Sequence, residues 1–367
     1  MSFAQHYFLN YSSLPKQITE TPHQTLNQIV VIPCINEPDI LRTLECLKQC
    51  TKPQNATEII IVINSGERNS DEVRSFNRNT QKLIEKWSEV NSTDTFRFLT
   101  LLHENLPRKH AGAGLARKIG MDEALHRFNQ IDNPNGIIIS LDADTIVSEN
   151  YLIEVTKAFT DCHANTCNIH FEHPIEGDEF SEKTYQSILL YELHLRYLKQ
   201  AVAYTQFPYT YHTIGSAFAV RASVYVKQGG MNKRTAGEDF YFLNKLFPLG
   251  KVVEIFSTTV IPSPRVSDRV PFGTGASMTQ LMNNTQTIYN TYSFSIFMFK
   301  KRFFQWFDAF QIVKCINYTH LHYYNRNNVI YEAQKAVKYM YDSELIIKNE
   351  KELLHFYREK DKNSIKF

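Results

Sequence analysis

The chain has no cysteine pair at CxxC spacing, no long apolar run and no excess of one charge, and each absence closes a class of function. Its six cysteines (Cys34, Cys46, Cys50, Cys162, Cys167 and Cys315) show no metal-finger spacing, which removes zinc-finger and dithiol readings. Cys46 and Cys50 stand four apart on an expected helix, so they share a face and read as reduced thiols of a cytosolic protein. No stretch reaches the about 18 uninterrupted apolar residues of a membrane helix. The closest, residues 292–299, is cut short by Lys300, Lys301 and Arg302. The opening MSFAQHYFLNYSSLPKQ lacks the basic start and apolar core of a signal peptide. A cytoplasmic location is expected, with surface contact to membranes left open. Forty basic against 38 acidic residues, a net charge of +2, give no basic excess to suggest a nucleic-acid partner. That balance leaves room for small anionic ligands held by a few local charges. There is no internal repeat and no low-complexity tract.

What is present fits a globular protein larger than one typical domain: 367 residues, 43% hydrophobic and 21% charged. The β-branched run at residues 28–32 predicts a strand stopping at Pro33. A helix follows over 39–50, where Ile40, Leu41, Leu44 and Leu47 recur at helical spacing. Strands are expected over 58–63, 96–102 and 136–141, with helices over 70–90 and 114–128 between them. This alternation predicts an α/β fold with a mostly parallel sheet covered on both faces. Further on, strands are read at 166–171, 212–220 and 251–256, and helices at 151–159, 180–204, 222–228 and 238–247. From residue 280 the chain reads as aromatic-rich helices without strands, and the aromatics of 289–310 read as core packing.

Ligands of such sheets bind beyond the carboxyl ends of the strands, and two polar clusters fall there: Asn36-Glu37 and Asp142-Ala143-Asp144. Two carboxylates at i and i+2 invite a hard divalent cation, Mg²⁺ or Mn²⁺, that also takes phosphate oxygens. Glu238-Asp239 opens a helix after Gly237. One acid there is an ordinary cap, whereas a pair suggests a general base. Lys109 and His110 precede a Gly112-Ala113-Gly114 turn whose N–H groups are candidates to cradle phosphate. The segment SPRVSDRVPFGTG places Arg265 and Arg269 four apart before Gly273 and Gly275, a candidate lid over a diphosphate. His170, His173, His320 and His322 are read as structural.

Five blocks in this order resemble family 2 glycosyltransferases with the GT-A fold: QIVVIPCINEP, EIIIVINSG, GAGLARKIGMDEAL, IIISLDADTIVSENYL and GSAFAVRASVYVKQGGMNKRTAGEDFYFLNKL. They cover roughly residues 28 to 250. The resemblance implies transfer of a sugar from a UDP- or GDP-linked donor to an acceptor hydroxyl, with Mn²⁺ or Mg²⁺ and inversion at the anomeric carbon. It implies a donor-binding set of Pro33, Asn36, Glu37, Asn64, Arg117 and Asp142, to which the lid reading adds Arg265 and Arg269. It implies Asp144 with Asp142 as the metal ligands, and Asp239 with Glu238 as the catalytic acids. Glu37 would contact the nucleoside and Asn64 the base. Asn64 departs from the usual Asp, leaving the base open, and Lys118 replaces the usual Asn, adding a cation near the donor. The expected domains are an N-terminal extension over 1–27, the GT-A domain over 28–265, and a lid with helical extension over 266–367. The rival readings are a sugar-phosphate nucleotidyltransferase, against which CINEPD in place of a Gly-rich loop speaks, and a non-catalytic nucleotide-sugar binder.

Overall fold

The computed structural model describes residues 2–12, 14–266, 273–284, 287–299, 307–341, 347 and 349–363. The chain forms two compact units, one of Met1–Glu172 with Thr213–Ser263 and one of His173–His212 with Pro264–Phe367. The second unit thus takes in residues 173–212, a stretch lying inside the domain expected over 28–265.

The first unit is built on one sheet. Its strands are β1 (Leu26–Cys34), β2 (Ala56–Gly66), β3 (Phe96–Leu106), β4 (Ile137–Ser140), β5 (Ile146–Val147), β6 (Thr166–Phe171), β7 (Phe218–Arg221) and β8 (Val252–Ile261). They lie in the order β3-β2-β1-β4-β7-β6-β8-β5. Strands β3, β2, β1 and β4 pair in parallel, whereas β7 runs against β4 and β6, and β5 against β8. Every residue of β2 and β4 is buried, as expected of strands covered on both faces by apolar β-branched side chains. The α/β, mostly parallel architecture read from the sequence is therefore observed.

Two strand boundaries differ from expectation. β1 continues through Pro33 to Cys34. Its pairing with β4 ends at Val31, whose carbonyl accepts from Leu141 N–H (3.1 Å), so the missing Pro33 N–H lies on a side where no ladder continues. The strand expected over 212–220 shrinks to β7, because β4 is only four residues long and offers partners to Phe218–Arg221 alone.

Helix Ala113–Gln130 is buried almost all round. One side lies on the sheet, with Gly120 so close that a Cβ there would meet Val31 Cγ1 at 2.4 Å. The other side is covered by the N-terminal segment. Helix Gln5–Asn10 inserts Tyr7, Phe8 stacks on His126 at 3.9 Å, and the Gln17 and Ile18 N–H groups donate to Glu123 at 2.9 and 3.0 Å. This corrects the reading of Lys118 as a donor-site cation. Its Nζ lies within this second face, donating to Tyr7 Oη (2.7 Å) and pairing with Asp122 (3.1 Å). Tyr7 and Tyr225 both donate to the same Asp122 oxygen, at 2.6 and 2.8 Å.

The second unit is helical. Helix Glu182–Tyr204 packs against Val329–Tyr341 and Glu350–Lys362, and its core gathers Leu193, Tyr197, Phe294, Phe297, Leu353, Leu354 and Tyr357. The aromatics of 289–310 that are described pack as the sequence suggested. Against expectation, Asn290–Thr291 and Asn327–Asn328 form a short antiparallel pair; two polar residues carry no alternation by which to detect it. Gly275 falls in the first turn of helix Thr274–Asn283 rather than in a loop.

Charges are buried in this unit. Glu192 accepts from Arg196 (2.8 Å), Arg358 (2.7 Å) and the backbone and ring of His173 (2.8 and 3.0 Å). Asp361 accepts from Arg196 (2.6 Å), Gln200 (2.7 Å) and His212 (2.9 Å). Burial holds the His212 ring near a pKa of about 4 despite Asp361, so it donates as a neutral imidazole. No disulfide joins any of the six cysteines, and among the described residues no helix is long and apolar enough to cross a membrane.

Candidate active site

The carboxyl ends of β1, β2 and β4 lie side by side in the sheet and carry the polar residues singled out above. Beyond β1, Asn36 adopts a left-handed backbone (φ 46°) and donates its N–H to Asn77 Oδ1 at 2.9 Å. Asn77 Nδ2 in turn donates to the Asn64 carbonyl at the end of β2, 2.9 Å away. One buried amide thus fixes the two turns against each other. Glu37 is buried, with Oε1 accepting from the Asp39 N–H at 3.2 Å, and Pro33 sits in the last turn of pleat before them. Asn77 is the residue that motif reasoning passed over. It shares a helix face with the buried Thr80 and Ile84, so helical spacing alone would have marked it as an inward-pointing amide.

Beyond β4 the chain turns, Thr145 N–H donating to the Asp142 carbonyl at 3.2 Å, and Thr43 Oγ1 holds the Ala143 carbonyl at 2.9 Å. Asp142 and Asp144 are both half-buried on this turn. Arg117, on helix Ala113–Gln130, reaches across and donates to both Asp142 and Glu238. Its guanidinium lies against Gly215, where a Cβ would stand 2.5 Å from Nη2, so a side chain at 215 would displace it. Burial alone would favour neutral Arg117, but Asp142, Glu238 and Asp239 outweigh it and raise its pKa further. The guanidinium is the fixed positive centre of three carboxylates.

Asp239 belongs to the same cluster. Gly237 takes the left-handed conformation (φ 65°) that lets the chain turn into helix Glu238–Leu246, and both acids stand in its first turn. Asp239 Oδ1 accepts from the Phe240 N–H at 2.7 Å. Burial first, then the Glu238 charge beside it, push its carboxyl up to about 7, against the opposing pull of Arg117 and that N–H. A carboxylate poised near neutrality is suited to accept a proton at physiological pH.

The glycines of the Gly112-Ala113-Gly114 turn, read from the sequence as a candidate phosphate cradle, also make room for a neighbouring loop. A Cβ at Gly114 would lie 2.1 Å from the Arg234 carbonyl oxygen and one at Gly112 3.0 Å from Thr235 Cα, so the space these glycines leave is taken by backbone of residues 234–235. Of the lid residues, Arg265 belongs to the second unit and Arg269 lies outside the described residues. Three of the four histidines read as structural have such partners: His170 pairs with Glu172 (2.8 Å), His173 with Glu192, and His320 bonds the Tyr324 carbonyl (2.8 Å), whereas His322 is exposed.

A model of glycosyl transferase family 2 matches residues 29–227, and one of glycosyl transferase family group 2 matches residues 137–324. No curated protein matches the chain by sequence. Among solved structures, the chain is similar to residues 1–349 of TarS from S. aureus in complex with UDP-GlcNAc, with 10% identity, 92% of this chain and 88% of that one covered, and a TM-score of 0.48. It is also similar to a second crystal structure of residues 1–349 of S. aureus TarS (14% identity, 65% of this chain, TM-score 0.42), spanning 60% of that chain and so less than two thirds of its length. A third similar structure is the mannosyltransferase PcManGT from Pyrobaculum calidifontis in complex with GDP-Man and Mn²⁺ (16% identity, 70% and 61% covered, TM-score 0.40).

Proposed function

Because the chain belongs to glycosyl transferase family 2, we propose that it transfers a sugar from a nucleoside-diphosphate donor to an acceptor hydroxyl, with Asp239 as the general base. The observation that carries this reading is the acid cluster itself, with Glu238 and Asp239 in the first turn of one helix and Arg117 bonded to Glu238 and Asp142 beside them. Ionised Asp239 accepts the hydroxyl proton as the acceptor oxygen attacks the anomeric carbon. The carbon–oxygen bond to the diphosphate breaks, and its electron pair leaves with the nucleoside diphosphate. Attack from the face opposite the leaving group inverts the configuration.

Arg117 holds Asp142 and Glu238 in place by direct hydrogen bonds, which leaves the Asp239 carboxyl beside them to meet the acceptor hydroxyl. Asn36, Glu37 and Asn64 form the nucleoside side of the site, positioned by Asn77. Asn64 offers both a donor and an acceptor, so it suits a pyrimidine or a purine edge.

The family also implies a divalent metal. Asp142 and Asp144 would hold it, and an all-oxygen donor pair fits a hard ion that completes its shell with phosphate oxygens and water. Among the described residues no group of three or more His, Cys, Asp or Glu side chains is arranged to hold a metal ion. When bound, Mn²⁺ or Mg²⁺ supplies positive charge to the departing diphosphate.

The test is calorimetric titration with UDP and GDP, each with and without Mn²⁺, on the wild type and Asp144→Ala. Binding of one nucleotide that needs Mn²⁺ and falls at least tenfold in Asp144→Ala is expected. Absence of binding to either nucleotide in every condition would overturn the proposal.

A further inference from the structure

We infer that the acceptor is an anion, bearing phosphate, sulfate or carboxylate groups, and that the paired loops 107–112 and 231–237 bind its charge. This rests on the reading of Asp239 as the base that meets the acceptor. The two segments read PRKHAG and MNKRTAG: four permanent cations and no carboxylate, in a chain whose net charge is only +2.

The loops are held together by one side-chain bond and by close backbone approach. The His110 ring bonds the Lys233 carbonyl (3.0 Å), and Gly112 and Gly114 admit the backbone of Thr235 and Arg234. Four like charges are thereby gathered on one surface, where the Glu67 carboxylate, accepting from the Arg108 N–H at 3.2 Å, offsets part of their repulsion and a net positive field remains to attract an anion. Arg108, Lys109, Lys233 and Arg234 are all exposed. Among the described residues Arg108, Lys109 and Lys233 have no ion-pair partner, whereas Arg74, Arg78, Arg127 and Lys157 of the same unit are each paired. Arg234 lies over the Tyr241 ring at 3.7 Å, which orients its guanidinium and leaves the N–H edge open to an oxyanion.

Position argues for the acceptor rather than the donor. Of the residues proposed for the donor, Asn36, Glu37, Asn64 and Asp142 stand beyond β1, β2 and β4, and Arg117, on the helix after loop 107–112, turns its guanidinium to Asp142 and Glu238 rather than to that loop. The cations stand on the segment that ends at Gly237 and delivers Asp239. An acceptor whose hydroxyl meets Asp239 passes this surface with its remaining length. An anionic chain or headgroup would satisfy the cations, and a neutral one would leave them unpaired.

Dextran sulfate and neutral dextran of equal length are the probes, titrated into protein saturated with UDP and Mn²⁺ at low and moderate salt. Binding of dextran sulfate alone, weakening with salt, is expected. The Lys109→Ala/Lys233→Ala variant should lose at least tenfold in that affinity while UDP affinity stays within twofold. Lys82→Ala/Lys86→Ala, on the exposed face of helix Asp71–Asn91, is the control and should bind dextran sulfate as the wild type does. Equal loss in both variants would reduce the effect to general charge and overturn the inference. So would no loss in Lys109→Ala/Lys233→Ala. A tenfold fall in UDP affinity in that variant would assign the cations to the donor diphosphate and likewise overturn it. Should the wild type bind no nucleotide, the glycosyltransferase site falls, and dextran sulfate titration of the unliganded protein still reads the cation surface on its own.

Discussion

At the scale of single residues, the site depends on how much charge is placed around one guanidinium. Asp239 must lose its proton to act, and its carboxyl sits near 7, so kcat/KM should fall about tenfold per pH unit below that value. Asp239→Asn should lower turnover by roughly 10²–10⁴-fold and abolish the acidic limb of the profile, with UDP affinity retained. Steady-state kinetics from pH 5 to 9 and nucleotide titration check both. The same residue affects stability. Its folded pKa is raised above the ordinary 3.8, so its contribution is complete below that pH and is lost as pH rises through about 7. Asp239→Asn, which cannot ionise, should therefore melt higher than the unliganded wild type at pH 8 and lose that advantage near pH 4. The sequence shows Glu238-Asp239 after a glycine and so names the residue. It does not show the poise, because Arg117 reaches Glu238 across 121 positions of chain.

At the scale of elements, helix Ala113–Gln130 works on two faces at once. Arg117 faces the acid cluster, and Lys118 and Asp122 face Tyr7, so neighbouring positions serve separate purposes. By motif alone Lys118 reads as part of the site, because it is adjacent in the chain. A helix separates adjacent residues by about 100° of rotation, and burial of the second face by the N-terminal segment is a tertiary fact. The glycine motif at 112–114 was read as a turn offering N–H groups to phosphate, and its close approach to residues 234–235 is a tertiary contact the sequence does not show. Gly114→Ala would drive a methyl to 2.1 Å from the Arg234 carbonyl, so loop 231–237 and Glu238 behind it must shift. The expected result is about 1–3 kcal/mol of lost stability, read by urea midpoint, with turnover reduced. Gly112→Ala, whose Cβ would meet Thr235 at 3.0 Å, should do less on both counts. Strand and helix rhythm was legible over the sheet because it depends on local periodicity. Where a strand's length is set by its partner, as in β7, periodicity overreached.

At the scale of the whole molecule, the second unit spends buried charge on its own cohesion. Burial would raise the Glu192 carboxyl, yet Arg196, His173 and Arg358 hold it well below the ordinary 4.5. A depressed acid stabilises above its unfolded pKa and loses that contribution as pH falls, so this unit should be acid-labile. Arg358→Ala leaves Glu192 with fewer partners and should cost about 3–5 kcal/mol, with acid unfolding beginning at a higher pH. Circular dichroism against urea and pH tests this. None of it was legible in the sequence. Residues 173–212 are richer in tyrosine than the chain before them, but composition does not say which distant segment they pack with, and Arg358 and Asp361, which pair with Glu192 and Arg196, stand 166 and 165 positions downstream.

That separation has a consequence for how the protein is made. Helix Glu182–Tyr204 leaves the ribosome roughly ten to thirty seconds before Arg358 and Asp361 do, at ordinary rates of synthesis. Through that interval the nascent chain carries Glu192 and Arg196 paired with each other but without Arg358 and Asp361, the partners that complete their burial. The strands of the first unit are all translated by Ile261, so that unit can condense while its neighbour waits. The second unit is then the last region to become resistant to proteases, and a chain stalled short of residue 358 presents a helix that no fold has yet claimed.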